Sequence, residues 1–420
     1  MVVVSNHPFV PLRHRSVRLL WGAAVISDIG TWVQLIVVGS LVAAGTGSAL
    51  QTGLVALATF MPQGIASPVG GLLADRYDRR KVFAWALLVQ AAVTSVLAVV
   101  LGLGVRSPLV LTLLILLGSA AGSTGAPAYS AMQPDLVPPD ELMAMVSLGA
   151  YSWNSGRIVG PLLGSVMALA VGPAWTVGFN AFSFLVMAAA VASLRRPFRP
   201  STVSEGGFVE RMAGGYRALR TTPGCLHGVA LLVLFNLTAV PFMGLIPIYV
   251  RAGFGGGTGL AGTVASAQGI GAILGGITIT MLAAKFDRSF LVVRVTAAVS
   301  LGLLCYALAP NTGLLVPAAM LLGAASSSMF ISTSSVIQRD APSASRGRIM
   351  AIMQAAMGIS YGIGLLFIGS IGDLTSLHVA FATGSVLLLV AFWALTRRSR
   401  NWRQAFDGTN LRADAALVPV

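Results

Sequence analysis

Twelve apolar stretches follow one another along the chain, separated by short polar gaps. A helix that crosses a bilayer needs about 20 mainly apolar residues. By that rule spans fall near 17–44, 51–74, 82–104, 108–131, 144–170 and 174–194. A second set falls near 224–250, 258–283, 290–309, 313–337, 348–372 and 376–396. Inside lipid every backbone N–H and C=O must find its partner within the protein, so runs of this length read as helices. The fold class is therefore an all-α membrane protein. Composition agrees: 56% of the 420 residues are hydrophobic and 10% charged, against about 25% charged in soluble domains.

Charge placement sets the expected topology. Arg13, Arg15 and Arg18 precede the first span, and Arg76, Arg79, Arg80 and Lys81 follow the second. Arg195, Arg196, Arg199, Arg211, Arg217 and Arg220 follow the sixth. Lys285 and Arg288 follow the eighth, Arg339, Arg346 and Arg348 the tenth, and Arg397, Arg398, Arg400, Arg403 and Arg412 the last. The intervening gaps hold only Arg106 and Arg251. Lys and Arg gather in cytoplasmic loops, so both termini and the long central loop are expected in the cytoplasm. The acidic gap at 132–143, with Asp135, Asp140 and Glu141, is the one departure. A net charge of +14 distributed this way argues for a membrane topology and against a nucleic-acid partner. The first run is long enough to span and is expected as a retained helix rather than a cleaved signal.

The expected organisation is an N-terminal segment 1–16, a six-helix bundle 17–194, a linker 195–223, a second six-helix bundle 224–396 and a tail 397–420. A short surface helix is expected within the linker, and a disordered tail from Asn401. The halves repeat. Residues 74–79 match 283–288, Gln133 and Asp135 match Gln338 and Asp340, and Ser155, Ile158, Gly164 and Ser165 match Ser360, Ile363, Gly369 and Ser370. Repeated halves with a site at their interface are the plan of many secondary transporters.

Two charges lie deep in the span interiors, Asp28 and Arg157. A charge at mid-bilayer costs at least roughly 2.5–3.5 kcal/mol on insertion scales, so its persistence suggests function. At about 1.5 Å per residue both reach roughly 17 Å into the membrane. Equal depth and opposite sign make a pair plausible. Gly362 matches Arg157 in the repeat, so the scaffold does not demand the charge. Three roles stay open: Asp28 as a proton-coupling acid, Arg157 as a ligand for an anionic or acceptor-rich substrate, or a permanent structural ion pair. Trp32 lies one turn from Asp28 and Asn154 one turn from Arg157, giving a candidate cavity wall. Asn236, Gln268 and Gln354 are the mid-span polar residues of the second half; interhelical hydrogen bonding competes with ligand contact for each.

The segment Gly71-Leu-Leu-Ala-Asp75-Arg76-Tyr-Asp78-Arg79-Arg80 resembles the signature loop of the major facilitator superfamily, Gly-x-Leu-Ala-Asp-Arg-x-Gly-Arg-Arg. Asp78 replaces the usual second Gly, as in the branch of siderophore, macrolide and multidrug exporters. Gly156-x-x-x-Gly160-Pro161-x-x-Gly164 resembles the antiporter motif of proton-driven drug exporters, with Ser165 where a second Gly is common. Glycines four apart also let a neighbouring backbone approach closely. The resemblance covers roughly residues 15–396. It implies twelve helices in two pseudo-symmetric bundles, a multi-pass protein of a bacterial plasma membrane, a monomer, and a latch in which Asp75 caps a helix end while Arg76, Arg79 and Arg80 cluster. Ala284 stands where the repeat would place Asp75, so the second loop is expected to latch less.

The reading is an exporter of small amphipathic molecules, of drug or siderophore class, exchanging them for protons by alternating access. An importer or a lysolipid flippase of the same fold is the rival. Cys225, Cys305 and the four His form no metal or catalytic spacing, and no Gly-x-x-x-x-Gly-Lys loop for ATP occurs. No cofactor and no enzymatic activity are expected. The Ser-rich run from Ser326 to Ser335 reads as small-residue packing.

Overall fold

The computed structural model describes residues 8–194, 198, 208–342, 345–398 and 402–407. Parts of the expected N-terminal segment, linker and tail (1–7, 195–197, 199–207, 399–401 and 408–420) lie outside them. The described residues are helical throughout, without strands. In order, the α-helices are α1 Arg15–Thr46, α2 Ala49–Phe60, α3 Pro62–Arg76, α4 Arg79–Gly102, α5 Pro108–Met132, α6 Leu142–Ala170, α7 Gly172–Ala192 and α8 Phe208–Thr221. They continue as α9 Pro223–Thr238, α10 Phe242–Phe254, α11 Thr258–Ala283, α12 Arg288–Ala307, α13 Thr312–Asp340, α14 Arg346–Leu374, α15 Leu377–Arg398 and α16 Trp402–Asp407. Ten helical segments among the described residues are long and apolar enough to cross a membrane: α1, α4, α5, α7, α9 with α10, and α11 to α15.

Local chemistry sets the ends. Gly47, at φ 64°, closes α1 in the left-handed conformation that a Cβ disfavours. Ser48 then accepts from the Gln51 N–H at 3.1 Å to start α2. Asn311 does the same for α13 through the Leu314 N–H. Two expected continuous helices are broken. Pro62 separates α2 from α3, and Pro241 lies between α9 and α10. Proline has no N–H to donate, and its ring crowds the preceding turn.

Contacts divide the chain into two compact units. The first comprises Met1–Glu205 and Ile246–Ser266, so it includes most of α10 and the start of α11. Its core has two main clusters. One joins Leu20, Phe83, Leu87, Met132, Phe184 and Val191; the other joins Val38, Val55, Leu97, Leu111 and Val177. Helix α1 runs through both, packed on α6 and on α7. The second unit comprises Gly206–Leu245 and Ala267–Val420. There α9 packs on α13 and α14, α12 on α13 and α15, and α8 lies against α14. Helix α8 matches the short helix expected in the linker. The six-residue helix α16 replaces part of the tail expected to be disordered; its buried Trp402 and Phe406 hold it down.

Candidate functional site

Helix α1 carries Asp28 and is gripped from two sides. On the α6 side, the Ser152 hydroxyl donates a hydrogen bond to the Asp28 carboxylate. The three motif glycines follow on the same stripe, four residues apart. A Cβ at Gly156 would lie 2.7 Å from the Asp28 carbonyl carbon, and one at Gly160 2.5 Å from Trp32 Cβ. At Gly164 it would lie 3.0 Å from Val33 Cα. The α1 backbone therefore rests on these glycines, which is the close approach that small residues permit. On the α7 side, Asn180 donates to Gln34 at 2.8 Å, and Ser183 to the Asn180 side chain at 3.1 Å. Gly30 leaves room for both α7 residues.

Arg157 follows Gly156 directly, half-buried, on a stripe that also carries Trp153 and Pro161. Asn154, also half-buried, donates to Ala150 O of its own helix at 2.8 Å. Trp32, Trp153 and Phe60 form an aromatic trio, with centroids 5.6 Å apart for the tryptophans, 6.0 Å for Trp32–Phe60 and 6.4 Å for Phe60–Trp153. Trp32 is buried, and its indole N–H meets no acceptor among the described residues. The wall thus combines a carboxylate, a hydroxyl, a guanidinium and three aromatic rings on α1, α2 and α6. Such a surface suits molecules that are part apolar and part charged.

Further along α6, Ser165 donates to Pro161 O and to Thr258 O, each at 2.8 Å. Ser266 of α11 donates back to Ile158 O at 2.6 Å. A Cβ at Gly262 would lie 2.6 Å from Pro161 O. The serine that departs from the motif's usual glycine thus ties α6 to the start of α11. Pro161, inside a continuous helix, has no N–H to donate one turn back along α6.

In the signature loop, Gly71 has open space around it, and Asp75 is half-buried. Asp78, where the signature has Gly, caps α4 by accepting from the Arg80 N–H at 2.9 Å. Arg76 lies over the Tyr77 ring at 5.9 Å. Arg79 donates to Ala131 O at 3.1 Å at the C-terminus of α5 and lies 3.7 Å from Asp135. Arg80 donates to Leu194 O just past α7. Cations at helix C-termini complement the carbonyls gathered there.

In the second unit, Asn236 is buried and donates to Leu232 O of its own helix at 2.8 Å. Gln268 is buried on α11, and Gln354 is exposed on α14. Among the described residues no group of three or more His, Cys, Asp or Glu is placed to hold a metal.

Sequence reasoning missed Ser152, Trp153 and Phe60. Ser152 had a signal, since it extends the stripe of Gly156, Gly160 and Gly164 by one turn. Phe60 had none, because its place beside Trp32 depends on how α2 packs. Glu141 stood out only as part of the acidic gap, without its partners. It is buried at the start of α6 and binds both Arg13 and, at 3.0 Å, His14.

Known proteins align with nearly the whole chain. Macrolide efflux protein A of Streptococcus pyogenes is 22% identical, over 89% of this chain and 93% of its own. The multidrug efflux pump Tap of Mycobacterium tuberculosis is 28% identical, over 86% and 88%. The enterobactin exporter EntS of Escherichia coli O1:K1 / APEC is 26% identical, over 90% of each. Among solved structures, a point mutant of the nucleoside transporter NupG superposes with a TM-score of 0.72 at 14% identity, covering 91% of this chain and 99% of that one. That likeness establishes the major facilitator fold alone. The family described as transmembrane secretion effector matches residues 6–413. With its helices, its signature loop and its glycine stripe accounted for, this multi-pass membrane protein belongs to the transmembrane secretion effector family of the major facilitator superfamily.

Proposed function

We propose that the chain exports small amphipathic molecules, of drug or siderophore class, across a bacterial plasma membrane in exchange for protons. Adding α2–α3 and α6 to the ten segments above gives twelve spans, arranged as bundles 17–194 and 224–396 with both termini cytoplasmic. The protein works as a monomer by alternating access around a midplane cavity. Asp28 is the coupling acid. Arg157, Trp32 and Asn154 line the cavity in the first bundle, and Asn236, Gln268 and Gln354 in the second. The loop from Gly71 to Arg80 closes the cytoplasmic face.

The observation that carries the reading is the setting of Asp28. A carboxylate in mid-helix, bonded to Ser152 of α6 and one turn from the Trp32–Trp153–Phe60 trio, joins a titratable group to a drug-compatible surface. The macrolide, multidrug and enterobactin efflux relatives support the export direction. An acid held by an adjoining helix is well placed to respond when those helices move.

The test is substrate-triggered proton movement in proteoliposomes, with a panel of macrolides, cationic drugs and a catecholate siderophore. Wild type is expected to couple the two fluxes, and Asp28→Asn to lose proton movement at least ten-fold, about 1.4 kcal/mol of coupling. Substrate flux without proton flux in the wild type, or coupling unchanged in Asp28→Asn, sinks the antiport assignment. Uptake in the physiological direction would favour an importer, and movement of lysolipid alone a flippase.

A further inference from the structure

A shallow groove of about 460 Å³ lies between α1 and α7, on the first unit's surface and away from the Asp28 wall. Its apolar lining is Leu19, Gly22 and Ala23 of α1 with Val186, Ala189 and Ala190 of α7. A Cβ at Gly22 would meet nothing within 4 Å, so the groove is open where that side chain is missing. Its mouth is Arg18, one turn into α1, and Ser193, just past the end of α7. Arg18 is exposed, and its guanidinium makes no hydrogen bond or ion pair among the described residues. Arg15, also exposed, stands one turn before it on the same face.

An apolar trough that begins at helix ends and is topped by free cations has the two parts of an anionic phospholipid site. The trough is lined by aliphatic side chains and a glycine, a surface that takes a hydrocarbon chain and offers little to a polar solute. The cations sit at the level where α1 begins and α7 ends, which is headgroup depth for helices of this length. Basic pockets between membrane helices bind anionic headgroups, and each added Lys or Arg strengthens the attraction. We propose that the α1–α7 groove seats one acyl chain of an anionic phospholipid, whose phosphate is held by Arg18 with Arg15 beside it. The lipid would brace the helix that carries Asp28, at the end remote from the substrate wall.

The test uses the purified full chain in detergent, with native mass spectrometry after addition of phosphatidylglycerol or phosphatidylcholine of identical chains. Wild type is expected to retain one phosphatidylglycerol in preference to phosphatidylcholine. Arg18→Gln is expected to cut that preference about five-fold. Gly22→Leu, which fills the trough, is expected to reduce retention of both lipids. Glycerol phosphate, a headgroup without chains, is expected not to compete. Thermal unfolding of each variant in detergent shows that it is folded. Equal retention of the two lipids by wild type overturns the proposal, as does an unchanged preference in Arg18→Gln, unchanged retention in Gly22→Leu, or displacement by glycerol phosphate alone.

Discussion

The loops that precede α4 and α12 are copies of one another in sequence, yet their helices are capped by different parts of the chain. At α4 the cap is local: Asp78 accepts from the Arg80 N–H. At α12 the matching Asp287 makes no side-chain cap, and Asp407 of α16 accepts instead from the Ser289 N–H and hydroxyl, each at 2.8 Å. The arginines diverge too. Arg79 holds Ala131 O and Asp135, while Arg288 reaches Ser335 Oγ at 3.5 Å. Arg339 grips Asp340 at 2.5 Å and donates to Phe406 O at 2.9 Å. The first loop is therefore capped from within, although its arginines reach Ala131 O and Leu194 O. The second takes its cap from a segment over a hundred residues further along the chain. Where a helix N-terminus must be capped, the cap can come from any acid that packing delivers.

Removing α16 tests this contrast most severely. Truncation after Asn401 discards Trp402 and Phe406, both buried, with the Asp407 cap. It is expected to cost roughly 3–5 kcal/mol, as loss of buried aromatics does, read as a lowered midpoint of unfolding in detergent. An unchanged midpoint would mean that the tail does not support the second loop. Next in size is Arg339→Ala. Asp340 is only 5% exposed, so removing its partner leaves a buried carboxylate uncompensated, at about 3 kcal/mol. Arg79→Ala is the matched control. Asp135 is 54% exposed, and the exposed pair is expected to contribute about 1 kcal/mol or less. Equal effects at the two arginines would erase the distinction. The smallest and sharpest comparison is between the caps. Asp78→Ala and Asp407→Ala should each cost about 1 kcal/mol. Amide exchange should speed at the first turn of α4 in one variant and at the first turn of α12 in the other. Crossed effects would show that the caps are not independent.

Much of this comparison was visible in the sequence. The offset that aligns 74–79 with 283–288 also aligns the helices that follow, and Ala284 marked the second loop as the weaker copy. The role of Asp407 was not visible. A six-residue helix is too short to leave a periodic signature and forms only when something packs against it. The same divide runs through the candidate site. Asp28, Trp32, Gly156, Gly160 and Gly164 stand out because a charge, a large ring or a spaced glycine in an apolar run is conspicuous. Ser152 and Phe60 do not, because a hydroxyl or a phenyl ring is ordinary in such a run until its neighbour is known.

The class of molecule and its family were written in the order of residues. Long apolar runs with nearly all charges in the gaps leave a membrane helix bundle as the way to satisfy the backbone, and the signature loop and glycine stripe assign it to one superfamily. Which partners meet was settled by packing in three dimensions: Ser152 with Asp28, Trp153 with Trp32, Ser165 with Thr258, Asp407 with Ser289. Each pairing joins residues on different elements. With most faces of these helices apolar, hydrophobicity alone does not choose between them; close packing at the glycines and the few interhelical hydrogen bonds do.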